Sequence, residues 1–235
     1  MKIAIIPARG GSKRIPGKNI KAFFGQPMIA YAIKAAQECG LFDHIVVSTD
    51  CKNIRAAALQ LGAEVPFERP KALSDDHTGT GPVVQHAINW LQSEWQIQPD
   101  YVCCIYPTVP FLQAADLSAA FEQLTLDPEK RFAFSVTRYT FPVQRALTLN
   151  QQGQIKMLFP EHAGTRSQDL EEVFHDAGQF YWGKTQAFLD NLPMFSEYAI
   201  PHFLPRSRVM DLDDEEDWFE AELMFQAHRL RSAKL

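Results

Sequence analysis

An alternation of short apolar runs with helix-length segments constrains the fold more than any other feature of this chain. The runs KIAIIPA, HIVVSTD, YVCCIYP and FAFSVTR are short and almost wholly apolar, which is typical of strands buried on both faces. The segments between them have helical spacing, and Gly40 and Gly62 end two of these helices. Strands joined by helices require right-handed crossovers and a parallel sheet. We therefore predict a single α/β domain over residues 1–235, with a Rossmann-like, mostly parallel sheet flanked by helices.

The alternation breaks between residues 139 and 178. The stretch RALTLNQQGQIKML contains two alternating runs around a Gly turn, which predicts a β-hairpin. A polar stretch follows it, so residues 139–178 form an excursion from the core, either a lid or an oligomer contact. QFYWG then returns as a strand, SRVM is strand-like, and a helix from about 214 to 231 closes the chain.

Charge and cysteine spacing exclude several classes of protein. The net charge is −5 and the pI about 5.8, which argues against a nucleic-acid partner. The apolar runs are far shorter than a membrane helix, and the first residues lack the pattern of a secretory signal. The cysteines show neither zinc spacing nor a disulfide framework. We expect a cytoplasmic protein with reduced thiols and no membrane partner.

A glycine-rich basic loop, IPARGGSKRIPGKN, directly follows the first predicted strand. It is not a Walker A loop, because five residues separate Gly11 from Gly17 and Asn19 follows Lys18. Gly10 and Gly11 would let backbone N–H groups converge on an oxyanion. The loop region also concentrates five cations, Arg9, Lys13, Arg14, Lys18 and Lys21. Ligands of open α/β sheets bind at the carboxyl ends of strands, so we predict a phosphate site rather than a solvated basic loop.

An acidic stretch, MDLDDEEDW, lies near the end of the sequence. In an extended chain Asp211 and Asp213 point to the same side, and two close carboxylates repel each other unless a cation joins them. Mg²⁺ takes one or two carboxylates together with substrate phosphates and waters. Helix capping by Asp213 or Asp214 is the other interpretation. We expect both, with Asp211 and Asp213 as the magnesium ligands.

The loop IIPARGGSKRIPGKNI resembles the signature of the acylneuraminate cytidylyltransferases, the family of the CMP-sialic acid synthetases. The similarity is close over the first 20 residues and continues in weaker blocks to Asp217. It implies a nucleotide-diphospho-sugar transferase type of fold, CTP and Mg²⁺. It implies a catalytic role for Arg9, Lys18 and Asp211. The implied nucleotide-binding residues are Ala8, Arg9, Gly10, Gly11, Ser12, Lys13, Lys18, Asn19, Arg69 and Thr80; the residues themselves suggest only a surface cation at Arg69 and a helix N-cap at Thr80.

The block CCIYPTVPFL has Tyr106 where the sialate enzymes place Gln. Together with HDAGQFYWG, it resembles the pseudaminic acid branch of the family, whose substrate is a nonulosonic acid with two acylamino groups. Alternation places Gln179 and Tyr181 on one face of QFYW and Phe180 and Trp182 on the other, and by itself this stretch is more typical of a core strand. The implied sugar-binding residues are Tyr106, Arg166, His175, Gln179 and Tyr181, with His175 replacing a family arginine.

The resemblance implies that CTP and a nonulosonic acid, most closely pseudaminic acid, react to give the CMP-sugar and pyrophosphate. It also implies a homodimer in which the excursion reaches the partner's site. The base that accepts the sugar's proton stays open between Asp211 and a hydroxide on the metal. Other functions left open are a sialate synthetase, a sugar-1-phosphate nucleotidyltransferase and a non-catalytic nucleotide-binding module on the same fold.

Overall fold

A six-stranded sheet forms the centre of the protein, and the computed structural model describes residues 1–232. Its order is β10-β6-β9-β5-β1-β4, and two short hairpins, β2-β3 and β7-β8, lie outside it. The strands are β1 Lys2–Pro7, β2 Ala22–Phe23, β3 Gln26–Pro27, β4 His44–Ser48, β5 Tyr101–Ile105, β6 Phe132–Arg138, β7 Leu147–Leu149, β8 Ile155–Met157, β9 Phe174–Lys184 and β10 Ala199–Phe203.

The central sheet is mostly parallel, as the alternation predicts. Strand β1 pairs in parallel with β4 and β5, and β6 pairs in parallel with β10. The exception is β9, which lies antiparallel between β5 and β6 and joins the two halves. This strand contains the predicted QFYWG run, and its central position explains why both of its faces are buried.

Helices cover both faces of the sheet. They are α1 Ile29–Cys39, α2 Lys52–Gln60, α3 Thr80–Glu94, α4 Ala114–Leu126, α5 Thr185–Leu189 and α6 Glu215–Ser232. Helices α1, α2 and α4 pack on one face, while α3 and α5 pack on the other. Helix α6 buries Trp218 and Ala221 in a third cluster with Phe23 and Met28. Within residues 1–232 no helix has both the length and the apolarity needed to cross a membrane.

The excursion contains the predicted hairpin, but it is shorter than predicted because β9 begins at Phe174. Strands β7 and β8 pair only with each other in the described chain. Their apolar side chains are largely open to solvent: Leu147 is 63% exposed, Leu149 65% and Ile155 71%.

In the last third of the chain one strand was missed and one prediction was wrong. Residues 199–203 form a strand that the sequence did not reveal, because Pro201 interrupts the apolar run. Proline is tolerated at this position because β10 is an edge strand that pairs only with β6. The strand-like SRVM is not a strand: a 3₁₀ turn covers Arg206–Arg208 and the chain continues irregularly to α6. This irregular segment lies against the basic loop, where the Leu212 carbonyl accepts a hydrogen bond from Lys18.

Candidate active site

A cleft of about 530 Å³ opens at the carboxyl ends of β1 and β5. The basic loop forms one side of it, and residues that follow β5 or precede α3 form the other. The structure thereby brings together most of the predicted nucleotide-binding residues. The lining includes Arg9, Ser12, Lys13, Arg14, Lys18, Asn19, Arg69, Asp76, Thr80, Tyr106 and Asp213.

The basic loop is anchored on the turn that follows β4. The backbone N–H of Ala8 donates to the Ser48 carbonyl at 2.9 Å, and that of Gly10 donates to Asp50 Oδ1 at 2.8 Å. In this structure a carboxylate of the protein itself therefore accepts the N–H of Gly10, and a contact of that N–H with phosphate stays a prediction. Glycine is required there because a Cβ would lie 2.9 Å from Cys51 Cβ, whereas nothing crowds Gly11.

The loop cations converge on oxygen atoms inside the cleft. Asp76 accepts from Arg9 Nη1 at 2.7 Å and lies 2.5 Å from Lys13 Nζ, and these two hydrogen bonds lower its pKa. Arg14 Nη2 lies 2.6 Å from Asp213 Oδ1. The sequence did not single out Asp76, whose only signal is an acidic pair in a polar loop. A triphosphate offers the same kind of acceptor to these cations.

Lys18 lies deeper in the cleft than the other loop cations. Its Nζ donates to the Leu212 carbonyl at 2.5 Å, so the loop contacts the acidic segment directly. Burial lowers the pKa of Lys18, and the negative charges of Asp213 and Asp211 oppose that shift. A lysine in the cleft whose charge is favoured by two nearby carboxylates is well placed to neutralise phosphate oxygens.

In the acidic segment the predicted helix cap is present, and the side chains of the predicted metal ligands take no part in it. Asp214 caps α6, because its Oδ1 accepts from the N–H groups of Glu216 at 2.9 Å and Asp217 at 3.0 Å. Asp213 instead faces the cleft. The surrounding protein atoms, and then the charge of Asp213, raise the pKa of Asp211, although part of its surface stays exposed to solvent.

Asp211 and Asp213 are the predicted magnesium ligands, and of the two Asp213 lines the cleft while Asp211 does not. The charge of Asp213 contributes to the raised pKa of Asp211, and a divalent cation between two carboxylates relieves repulsion of this kind. The described residues contain no group of three or more His, Cys, Asp or Glu side chains suited to a metal. Two carboxylates suffice for Mg²⁺ when substrate phosphates and waters complete its coordination.

Arg69 and Thr80 line the cleft opposite the basic loop. Arg69 is not a surface cation, since only 4% of it is exposed and its guanidinium donates to Ser48 Oγ at 3.1 Å. Burial lowers its pKa to about 10. Thr80 is not the N-cap of α3, because that position belongs to Gly79. Its Oγ1 lies 2.7 Å from the hydroxyl of Tyr106 instead.

A second cavity of about 380 Å³ lies beyond this Thr80–Tyr106 contact, and both residues line both cavities. Tyr181, which was predicted to bind the sugar, lines this cavity. Its other walls are mainly apolar and include Val84, Phe132, Phe188, Leu192, Met194 and Phe195. We call it the aromatic pocket. Trp182 faces the opposite side of β9, where its ring stacks on Phe42 at 4.9 Å, so the predicted division of the QFYW faces holds for these two residues.

Three residues predicted to bind the sugar line neither cavity. Gln179 is buried and donates to the Arg208 carbonyl, because a bulge in β9 opposite Phe134–Val136 breaks the alternation. His175 packs against Tyr139 with ring centroids 4.8 Å apart. Arg166 is an exposed residue of the excursion, and its Nε lies 2.7 Å from Asp169.

Comparisons with known proteins agree with this arrangement. The cytidylyltransferase family profile matches residues 3–227. The pseudaminic acid cytidylyltransferase of Campylobacter jejuni is 43% identical over 226 residues, which are 96% of this chain and 97% of the relative. The CMP-N,N'-diacetyllegionaminic acid synthase of Legionella pneumophila is 31% identical, with 97% of each chain covered.

Solved structures show the same fold. The CMP:2-keto-3-deoxy-manno-octonic acid synthetase complexed with CTP superimposes with a TM-score of 0.69 at 15% identity, over 97% of this chain and 99% of that one. The family profile and these relatives identify the chain as a nucleotidyltransferase, an enzyme that joins a nucleotide to a second substrate. More particularly, the chain belongs to the cytidylyltransferase family.

Proposed function

We propose that this enzyme transfers CMP from CTP to a nonulosonic acid, and that pseudaminic acid is the preferred sugar. The observation that carries the proposal is the continuity of a cationic cleft with an aromatic pocket across Thr80 and Tyr106. One cavity suits a triphosphate, and the other suits a sugar with apolar substituents. The 43% identity to pseudaminic acid cytidylyltransferases supports the choice of sugar.

The reaction requires alignment and charge neutralisation more than covalent catalysis. The anomeric oxygen of the sugar attacks the α-phosphorus of CTP and loses its proton, and the bond from that phosphorus to the bridging oxygen breaks to release pyrophosphate. Arg9, Lys13 and Lys18 exchange their present acceptors for phosphate oxygens. Arg69 and Thr80, on the opposite wall, hold the cytosine and ribose.

Asp211 and Asp213 would hold the magnesium ion. When bound, this ion supplies positive charge to the phosphate oxygens and lowers the pKa of a hydroxyl near it. Asp213 would exchange Arg14 for the ion. We predict that Asp211→Ala lowers the rate of pyrophosphate release by about a thousandfold, while the thermal unfolding midpoint stays within a few degrees of wild type. Full activity in this variant would reassign the segment to helix capping alone.

We also propose that two copies of the chain form a dimer through the excursion. The exposed apolar side chains of Leu147, Leu149 and Ile155 support this, since one hairpin collects them. Arg166 lies outside both cavities of its own chain and would serve the partner's site by binding the sugar carboxylate. Ile155→Asp should therefore produce monomers in sedimentation velocity and raise the KM for the sugar. A wild-type chain that sediments as a monomer would contradict the dimer.

The decisive experiment ranks substrates by pyrophosphate release from CTP and Mg²⁺. Pseudaminate, N-acetylneuraminate and ketodeoxyoctonate are each supplied at equal concentration. We expect pseudaminate to give the highest kcat/KM. Faster turnover of N-acetylneuraminate would identify a sialate enzyme, and no turnover of any sugar acid would contradict the proposal.

We place the reaction in the cytoplasm, where CTP is made. The four cysteines, which are all free thiols in this structure, accord with that compartment.

A further inference from the structure

A bulge in β9 brings Asp176 to the wall of the aromatic pocket. Phe134 pairs with Tyr181, whereas Val136 pairs with Asp176, so β9 contains extra residues between these two pairs. Gly178 lies within the bulge and adopts a left-handed φ of 61°. In a regular strand, residues 176 and 181 would face opposite sides of the sheet. The bulge places both side chains on the pocket side, where the Tyr181 hydroxyl donates to Asp176 Oδ2 at 2.6 Å.

Asp176 is the one charged residue among the described residues that line this pocket. Its Oδ1 accepts from the backbone N–H of Gly178 at 2.9 Å, and its Oδ2 accepts from Tyr181. An ionised carboxylate has about four acceptor sites, so two bonds leave capacity for a ligand. An asparagine would also supply the oxygen for Gly178 and a polar group for Tyr181. The negative charge therefore has no task in these internal contacts, and the residue is only partly buried, which leaves it accessible to a ligand.

We infer that Asp176 is a specificity-determining residue for the sugar, and that it accepts a hydrogen bond from the N–H of an acylamino substituent. This inference rests on the proposed function. The methyl end of an acylamino group would pack on Phe188, Leu192 and Met194, which line the same pocket with apolar surface. A hydroxylated tail would need several polar partners, and this wall offers it few.

The same charge sets the orientation of the sugar. The carboxylate of a nonulosonic acid is repelled by Asp176 and attracted by the cations of the cleft, which lie beyond Tyr106. The acid end then faces the nucleotide and the acylamino end faces β9. Tyr181 is a positioning residue in this arrangement: burial, then Tyr106 and Asp176, raise its pKa, so it stays a neutral donor that fixes Asp176.

The test measures KM separately for each substrate, using pyrophosphate release by the full-length protein. Asp176→Asn is compared with wild type while pseudaminate is varied at saturating CTP, and then while CTP is varied at saturating pseudaminate. We expect the KM for pseudaminate to rise about tenfold to a hundredfold, because a hydrogen bond to a charged acceptor is lost. The KM for CTP should change less than about twofold. A purely structural role would raise both values or lower kcat alone.

Tyr181→Phe is the second variant, because it keeps the charge and the ring but removes the donor that holds Asp176. It should raise the KM for pseudaminate by a smaller factor and leave the KM for CTP unchanged. If Asp176→Asn fails to fold, this variant tests the role of Asp176 in sugar binding instead. An unchanged sugar KM in an active Asp176→Asn protein would overturn this inference and leave the proposed function standing. A wild-type protein that uses no nonulosonic acid would overturn both.

Discussion

The cleft and the aromatic pocket share Thr80 and Tyr106, yet they are built in opposite ways. All the cations of the cleft except Arg69 come from one short loop, Arg9 to Lys18, at the end of a single strand. The walls of the pocket come from β5, β6 and β9, from α3 and α5, and from the chain that follows α5. A charged ligand can thus be bound by one contiguous loop, whereas the shape of a sugar is recognised by a pocket that forms only when several strands and helices have come together.

The two regions also differ in how firmly their polar groups are held. In the cleft, Lys13 is 81% exposed and Arg14 67%, so their ion pairs contribute little to stability and are easily exchanged for phosphate. In the pocket, burial raises the pKa of Tyr106 and of Tyr181, so both phenols remain neutral. The cleft is therefore suited to changing partners during the reaction, and the pocket to keeping one shape.

Among the substitutions that separate the cleft from the pocket, the one with the largest expected effect changes a cation of the cleft and leaves the pocket intact. We predict that Lys18→Ala lowers kcat/KM for CTP by about a hundredfold, because removal of one preorganised charge from a reacting phosphate has that magnitude. Pyrophosphate release measures this. Lys21→Ala is the matched control: Lys21 lies 2.6 Å from Glu215 and its Nζ lies 4.4 Å from the centre of the Trp218 ring, outside the cleft.

The control should lose less than about threefold, since an exposed ion pair is worth little. Equal losses in the two variants would mean that the general positive charge of the loop, rather than the placement of Lys18, binds the triphosphate. That result would remove the distinction between a shaped site and a basic surface.

A smaller effect concerns the buried ion pair beside β9. Asp116 is paired with Arg208, whose carbonyl accepts from Gln179. Burial by itself raises the pKa of Asp116, but the hydrogen bonds from His202 and Arg208 and the Arg208 charge outweigh it and hold the pKa at about 2. We predict that Asp116→Asn lowers the free energy of unfolding at pH 7 by about 2 kcal/mol, as urea denaturation measures it.

The sign of its pH dependence follows from the lowered pKa. The stabilisation by Asp116 is present above the pKa of the unfolded chain, near 4, and is lost as the pH falls toward about 2. The difference between variant and wild type should therefore vanish at the acid end. An ion pair between exposed side chains is the comparison. Glu172→Gln disrupts the exposed pair with Arg138 and should lower the free energy of unfolding by less than about 1 kcal/mol. Comparable costs would show that burial does not separate the two pairs.

The sequence predicts those parts of the molecule whose signals are local. Apolar runs of strand length identify five of the six central strands, and Gly40 and Gly62 end helices with left-handed φ values of 65° and 82°. The basic loop is recognisable because its residues are contiguous. Strand β10 was missed because Pro201 weakens a short run that is stable only beside β6.

Contacts between distant segments could not be predicted. Asp76 meets Arg9 across 67 positions, and nothing local to either residue indicates the pair. Alternation assigned Gln179 to the site and gave no reason to consider Asp176, because it assumes a regular strand. The bulge depends on how β9 pairs with β6, which is decided by the whole sheet. Thr80 was interpreted as a helix N-cap because its actual partner, Tyr106, is distant in sequence and comes close to it only in the folded chain.

The smallest expected effect concerns Tyr106, which lies at the boundary between the cleft and the aromatic pocket. The sialate enzymes that the sequence resembles carry Gln at this position. Tyr106→Gln can keep a hydrogen bond to Thr80 but removes the ring that lies 5.5 Å from that of Tyr181. We predict that kcat/KM for pseudaminate falls about tenfold, the magnitude of a lost aromatic contact, while the KM for CTP stays within about twofold.

Tyr106→Phe is the complementary variant, because it keeps the ring and loses the hydroxyl. It should affect CTP more than the sugar. Steady-state kinetics with each substrate varied in turn measures the kcat/KM and KM values of both variants. If the two variants instead weakened the same substrate, the cleft and the pocket would be one site, and Tyr106 would not divide the recognition of nucleotide from that of sugar.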